Sequence, residues 1–134
     1  MSARRPFLDT NVLLYLLSDD AAKAARAEGL LRGGAIVSVQ VLSEFVAVAR
    51  RETRLTMAQI RDALAIIRAF CVVRALDIET HERALTICER FGLSIYDSLI
   101  VAAAGLADCR QLLTEDLQDG QTIDGVTIAN PFRA

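Results

Sequence analysis

At 134 residues the chain is the size of one domain, and a chain of that length can bury roughly two-thirds of its unfolded surface. A net charge of −2 and a pI near 5.4 exclude a protein held on nucleic acid by overall charge, since that mode needs many neutralised phosphates. No apolar run reaches the ~18 residues of a membrane span, and the 53% hydrophobic content suits a sheet covered on both faces.

In chain order, the basic segment Met1-Ser2-Ala3-Arg4-Arg5 is not followed by the apolar region and small-residue cleavage site of a secretory signal. A cytoplasmic protein is expected. Pro6-Phe7-Leu8 is a short apolar strand that runs into Asp9-Thr10 and a helix over residues 11–17. Ser18-Asp19-Asp20 offers a cap for an alanine-rich helix over 21–32, ended by Gly33-Gly34. A second strand over 35–38 leads into a helix over 39–52, whose apolar residues Val41, Phe45, Val48 and Ala49 have helical spacing. Glu44 falls beside that stripe, where a carboxylate needs a partner. Helical spacing continues over 53–70, and Cys71-Val72-Val73 reads as a third strand. Residues 77–90 and 94–107 form two more helices, the second apolar all round except for Asp97 and Ser98, which predicts burial. A fourth strand over 110–113, a polar loop over 114–120 and a last strand over 126–129 close the chain. The alternation predicts an α/β domain, a parallel sheet of four to five strands with helices on both faces.

Asp9, Glu44, Asp97 and Asp116 each follow or interrupt an apolar stretch near a strand end or helix start. Each has an ordinary structural explanation: Asp9 is a helix cap, Ser94-x-x-Asp97 matches a capping box, and Asp116 is a loop acid. Brought together they carry chemistry, because two carboxylates ~4 Å apart repel by about 4 kcal/mol at an effective dielectric near 20. Such a cluster takes up protons or a cation. Oxygen ligands without histidine or thiolate select Mg²⁺ or Mn²⁺. His81, the one histidine, sits in a polar helix beside Glu82 and Arg83 and is expected in solvent. Cys71, Cys88 and Cys109 are odd in number and widely spaced, which gives neither a disulfide framework nor a metal pair. Fourteen of the fifteen basic residues are arginine and Lys23 is the one lysine.

Four segments carry a resemblance: Phe7-Leu8-Asp9-Thr10-Asn11, residues 38–45 around Glu44, residues 93–100 around Asp97, and Leu113-Thr114-Glu115-Asp116-Leu117-Gln118-Asp119-Gly120. In this order and spacing the chain resembles PIN-domain proteins, specifically toxin ribonucleases of the VapC type, over nearly all of residues 1–134. The resemblance implies a single three-layer PIN-like domain acting as a Mg²⁺-dependent endoribonuclease, with Mn²⁺ as substitute. It implies that Asp9, Glu44, Asp97 and Asp116 hold the metal, with Asp119 as an outer ligand and Thr114 and Asn11 in support. It also implies an RNA substrate, a cognate antitoxin and a homodimer. Leu30, Leu31, Val46, Leu55, Met57 and Ile60 are candidates for an antitoxin groove.

Two rival readings stay open. A phosphohydrolase or phospho-receiver using Asp9 expects a lysine at the site, and the hydrolase also expects a second aspartate where Asn11 stands. A PIN-like module that binds RNA or protein without cutting usually lacks one of the acids.

Overall fold

The computed structural model describes residues 4–133; Met1, Ser2 and Ala3 of the basic N-terminal segment lie outside the described residues. The strands are β1 (Phe7–Leu8), β2 (Ala35–Ser38), β3 (Cys71–Arg74), β4 (Gln111–Leu113), β5 (Thr122–Ile123) and β6 (Val126–Ala129). They form one sheet in the order β3-β2-β1-β4-β6-β5. The first four and β6 run parallel, with Phe7 opposite both Ile36 and Leu112. In the central strands consecutive residues are buried, Phe7 with Leu8 and Leu112 with Leu113. Successive side chains point to opposite faces, so both faces of the sheet are covered.

The sixth strand is the one the sequence reading did not resolve. β5 pairs antiparallel with β6, Ile123 opposite Val126, across Asp124-Gly125, both at positive φ. An Asp-Gly pair in this conformation makes the two-residue turn whose twist matches that of a hairpin. β5 has two residues, too few for an alternating pattern to be read.

The helices are α1 (Thr10–Leu14), continued by a 3-10 turn over Tyr15–Leu17, α2 (Ala21–Arg32), α3 (Val39–Glu52), α4 (Met57–Phe70), α5 (Ile78–Phe91) and α6 (Ile95–Leu106). α4 begins at Met57 rather than near residue 53, because Thr56 and Gln59 form a reciprocal capping box. Thr53 instead closes α3. α6 packs on α5 and against β2, β4 and β6, with Ser98 to Ala104 continuously buried, as its apolar circumference predicts.

Of the six residues proposed for a groove, Leu31 and Ile60 belong to the core. Leu30, Val46 and Leu55 pack half-buried against it, and Met57 alone is exposed. Cys71, Cys88 and Cys109 are unpaired. Burial pushes the Cys71 and Cys109 thiols up to about 11, which leaves little thiolate at neutral pH. No described helix is long and apolar enough to cross a membrane.

Candidate active site

The sheet order places β1 between β2 and β4, so the chain departs from β1 in both directions. In open α/β sheets the crevice at such a switch point, beyond the carboxyl ends of the strands, is where ligands bind. Asp9 stands there. It is buried, its N–H donates to Leu113 O at 3.0 Å, and its carboxylate is gripped from three sides. Thr10 N–H donates to Oδ1 at 2.7 Å, while Thr114 Oγ1 at 2.9 Å and Asn11 Nδ2 at 3.5 Å reach Oδ2. The capping explanation is therefore correct as local structure, since Asp9 is the N-cap of α1.

Glu44 depends on how α3 leans. Thr10 Oγ1 meets both Val41 O at 3.4 Å and Glu44 Oε1 at 3.3 Å, which fixes α3 over the end of β1. Gln40, one turn earlier, gives Nε2 to Glu44 Oε1 at 3.4 Å and to Tyr96 O at 3.2 Å. Asp97 lies in the first turn of α6, where Ser94 Oγ accepts from its N–H at 3.1 Å. Asp116 follows β4, its N–H donating to Thr114 Oγ1 at 3.0 Å. All four acids line a single cleft of about 180 Å³, with Thr10, Asn11, Leu14, Val48, Tyr96 and Ile100.

Mutual repulsion and burial show in the proton affinities. Asp9 is pushed up to about 6, first by burial and further by Asp116 and Glu44, against the bonds from Thr10 and Thr114. Glu44 is raised by burial, with Asp97 and Asp116 adding to it. Asp97 is raised by burial and by Asp116. The residues lining the cleft include no basic side chain, so the balancing charge comes from protons or from a cation. An all-oxygen donor set of this kind fits a hard divalent ion. Among the described residues no three acidic, histidine or cysteine side chains converge as a ready-made cage. Mg²⁺, which keeps several waters of its own, requires least of one.

The remaining sequence candidates separate. Asn11 and Thr114 join the site, Asn11 Nδ2 meeting Thr114 Oγ1 at 3.0 Å and its Oδ1 accepting from Glu115 N–H at 3.2 Å. Asp119 does not line the cleft. Its carboxylate accepts from Asn130 N–H at 2.8 Å and from Arg133 at 3.2 Å, which holds it below the usual range. Lys23 turns to Tyr15 OH at 3.2 Å and lies 3.9 Å from Glu115, leaving Asp9 without the lysine a phosphohydrolase needs. His81 is exposed on α5. Thr10, Gln40 and Tyr96 were not singled out in the sequence. Gln40 carried a usable signal, because it stands four residues before Glu44 and so shares its helix face.

A family model described as PIN domain matches residues 7–118. No curated protein matches the chain in sequence. Among solved structures the fold is similar to a toxin–antitoxin complex from Klebsiella pneumoniae at 20% identity and a TM-score of 0.73, covering 96% of this chain and 99% of that one. It is also similar to VapBC2 from Rickettsia felis bound to a DNA fragment from their promoter, at 18% identity and a TM-score of 0.70, covering 95% and 98%. The sarcin–ricin loop cleaving toxin VapC20 of Mycobacterium tuberculosis matches at 20% identity and a TM-score of 0.64, covering 82% and 90%.

Proposed function

This chain belongs to the PIN domain family, and from that premise we propose that it is a Mg²⁺-dependent endoribonuclease, the toxin half of a toxin–antitoxin pair. The observation that carries the reading is the convergence of Asp9, Glu44, Asp97 and Asp116, from four separate elements, on one cleft lined by no basic residue. The similarity to a sarcin–ricin loop cleaving toxin and to toxin–antitoxin complexes supports the RNA substrate and the antitoxin partner. A homodimer remains part of the proposal.

Asp9, Glu44, Asp97 and Asp116 would hold Mg²⁺, or Mn²⁺ in its place, and the bound ion supplies polarisation of the phosphate and a lowered pKa for its water. The chain's own contribution is positional. Thr10, Thr114 and Asn11 fix the Asp9 oxygens, so the ionised group is already oriented when substrate arrives. Glu44, half-buried, is steadied at the cleft by Thr10 and Gln40. Apolar Leu14, Val48 and Ile100 in the same walls limit the water that competes for these groups.

The test is cleavage by purified, partner-free protein. It should cut structured RNA at few positions with Mg²⁺ present and stop with chelator. Asp9→Asn, Glu44→Gln, Asp97→Asn or Asp116→Asn should each abolish cutting with the circular dichroism spectrum unchanged. Cutting that persists in all four variants would refute the reading.

A further inference from the structure

Tyr96 is 66% exposed, the most exposed aromatic among the described residues, yet it lines the acidic cleft one position before Asp97. Core packing does not account for a ring left in water. Its backbone is held in place, since the Tyr96 carbonyl accepts from buried Gln40 and Ser94 caps the same turn. An exposed ring on a fixed backbone loses little freedom when something covers it.

The composition of the cleft indicates what covers it. A polyanion entering here meets four carboxylates and no lysine or arginine in the lining, on a chain of net charge −2. Phosphate contacts with cleft side chains therefore contribute little to its affinity. Beside the contact of a bound ion with phosphate, the source that the lining itself offers is the π-face of a base, worth about 1–3 kcal/mol per stacked base and tolerant of sequence. Leu14, Val48 and Ile100 give the same cleft an apolar side. In duplex RNA the bases are stacked on each other, and an aromatic side chain reaches them only in loops, bulges and single strands.

Resting on the nuclease reading above, we propose that Tyr96 is a stacking platform for one unpaired base of the nucleotide beside the scissile phosphate. Recognition at this position is by ring stacking and not by hydrogen bonds to base edges, so it selects for unpaired structure before sequence.

Tyr96 and Tyr15 are the two tyrosines of a chain that has no tryptophan, which makes the ring directly observable. A short unstructured oligoribonucleotide, titrated with Ca²⁺ in place of Mg²⁺ to hold back cleavage, should quench the tyrosine emission of the wild type and leave that of Tyr96→Phe largely unquenched. In Mg²⁺ assays Tyr96→Phe should keep its KM, and Tyr96→Ala should raise it about tenfold with kcat changed less than twofold. An oligonucleotide lacking the one base beside the cut should bind wild type and Tyr96→Ala equally. Melting temperatures of both variants with and without Mn²⁺ control for folding and for the acids. A Tyr96→Ala variant that keeps the wild-type KM, or that still distinguishes the abasic oligonucleotide, overturns the stacking proposal alone. A wild type that neither cuts nor binds RNA overturns the nuclease reading on which it rests.

Discussion

Thr114 and Asp9, at the ends of neighbouring parallel strands, are joined hydroxyl to carboxylate at 2.9 Å, and the same hydroxyl oxygen accepts from Asn11 Nδ2 and from the Asp116 N–H, each at 3.0 Å. One fully buried hydroxyl thus orients a carboxylate with its proton and positions a second acid with its lone pairs. The strand pairing of β1 with β4 sets the distance between the two residues. The sheet register and the site geometry are therefore the same structural fact.

Thr114→Val keeps the shape and removes the hydroxyl. It leaves the buried Asp9 Oδ2 with one donor, Asn11 Nδ2 at 3.5 Å, a loss of about 1–3 kcal/mol, and takes the side-chain acceptor from the Asp116 N–H. The urea midpoint should fall accordingly, and Asp9 should hold its proton to higher pH. Thr114→Ser, which restores the oxygen, should recover the Asp9 titration and most of the cleavage while regaining only part of the stability. Equal behaviour of the valine and serine variants would argue that the hydroxyl is only packing.

The raised Asp9 pKa predicts an inverted stability profile in metal-free protein. Between its ordinary value of 3.8 and about 6 the folded state binds more protons than the unfolded state. Stability therefore falls as pH rises through that window and levels off above it. The shift corresponds to an upper limit of about 3 kcal/mol. The upward shifts of Glu44 and Asp97 act in the same sense. Metal-free Asp9→Asn should then be more stable than wild type at pH 7 and flatter between pH 4 and 6. Millimolar Mg²⁺ or Mn²⁺ should raise the wild-type melting temperature, by binding the folded state alone, and should lose most of that effect on Asp9→Asn. A wild-type Tm indifferent to both ions would count against the metal site.

The parts of this architecture that were legible in the sequence are those with a local signal. The strand β1 into Asp9, the strand β2 into α3, and the buried α6 all announce themselves by apolar runs and caps. So do the four acids, because each follows or interrupts an apolar stretch. What was not legible depends on contacts across the fold. The bond from Gln40 to Tyr96 joins two helices far apart in sequence, and no period in either segment marks it. Asp119 shows the reverse: the family resemblance implied an outer ligand, but its loop folds back onto Asn130 and Arg133.

Gln40 offers a case in which function and stability should part. Its Nε2 serves Glu44 and Tyr96, but its Oε1 is buried without a partner among the described residues. Gln40→Met removes the desolvation cost of that orphan oxygen, which offsets the loss of the two Nε2 bonds, at 3.4 and 3.2 Å, to Glu44 and the Tyr96 carbonyl. Gln40→Met should change stability by less than about 1 kcal/mol, yet weaken Mn²⁺ binding and cleavage several-fold by freeing Glu44. Calorimetric titration with Mn²⁺ separates this from a folding defect, and an unchanged Mn²⁺ affinity would leave Gln40 a helix-packing residue only.

The antitoxin prediction keeps Leu31 of the residues first proposed and centres on a groove of about 460 Å³ between the 3-10 turn over Tyr15–Leu17, α2 and α4. Leu16, Leu17, Leu31, Ala63, Ile66 and Phe70 line it, with Glu28 and Arg32 beside them. Ile66 is 55% exposed and Phe70 45%, and apolar side chains so placed suit the apolar face of an amphipathic partner helix. Ile66→Glu should therefore abolish antitoxin binding while cleavage and melting temperature stay near wild type, because the side chain supports neither core nor cleft. The family resemblance implies a second element of inhibition, in which an antitoxin tail arginine would enter the cleft to pair with Asp9, Glu44, Asp97 or Asp116. Such an arginine competes with Mg²⁺ for the same oxygens. Raising Mg²⁺ should then weaken inhibition by intact antitoxin, and an antitoxin without that arginine should bind with nearly full affinity and inhibit less. Full inhibition by the truncated antitoxin at every Mg²⁺ concentration would assign inhibition to occlusion of the RNA path from the groove, with no role for the acids.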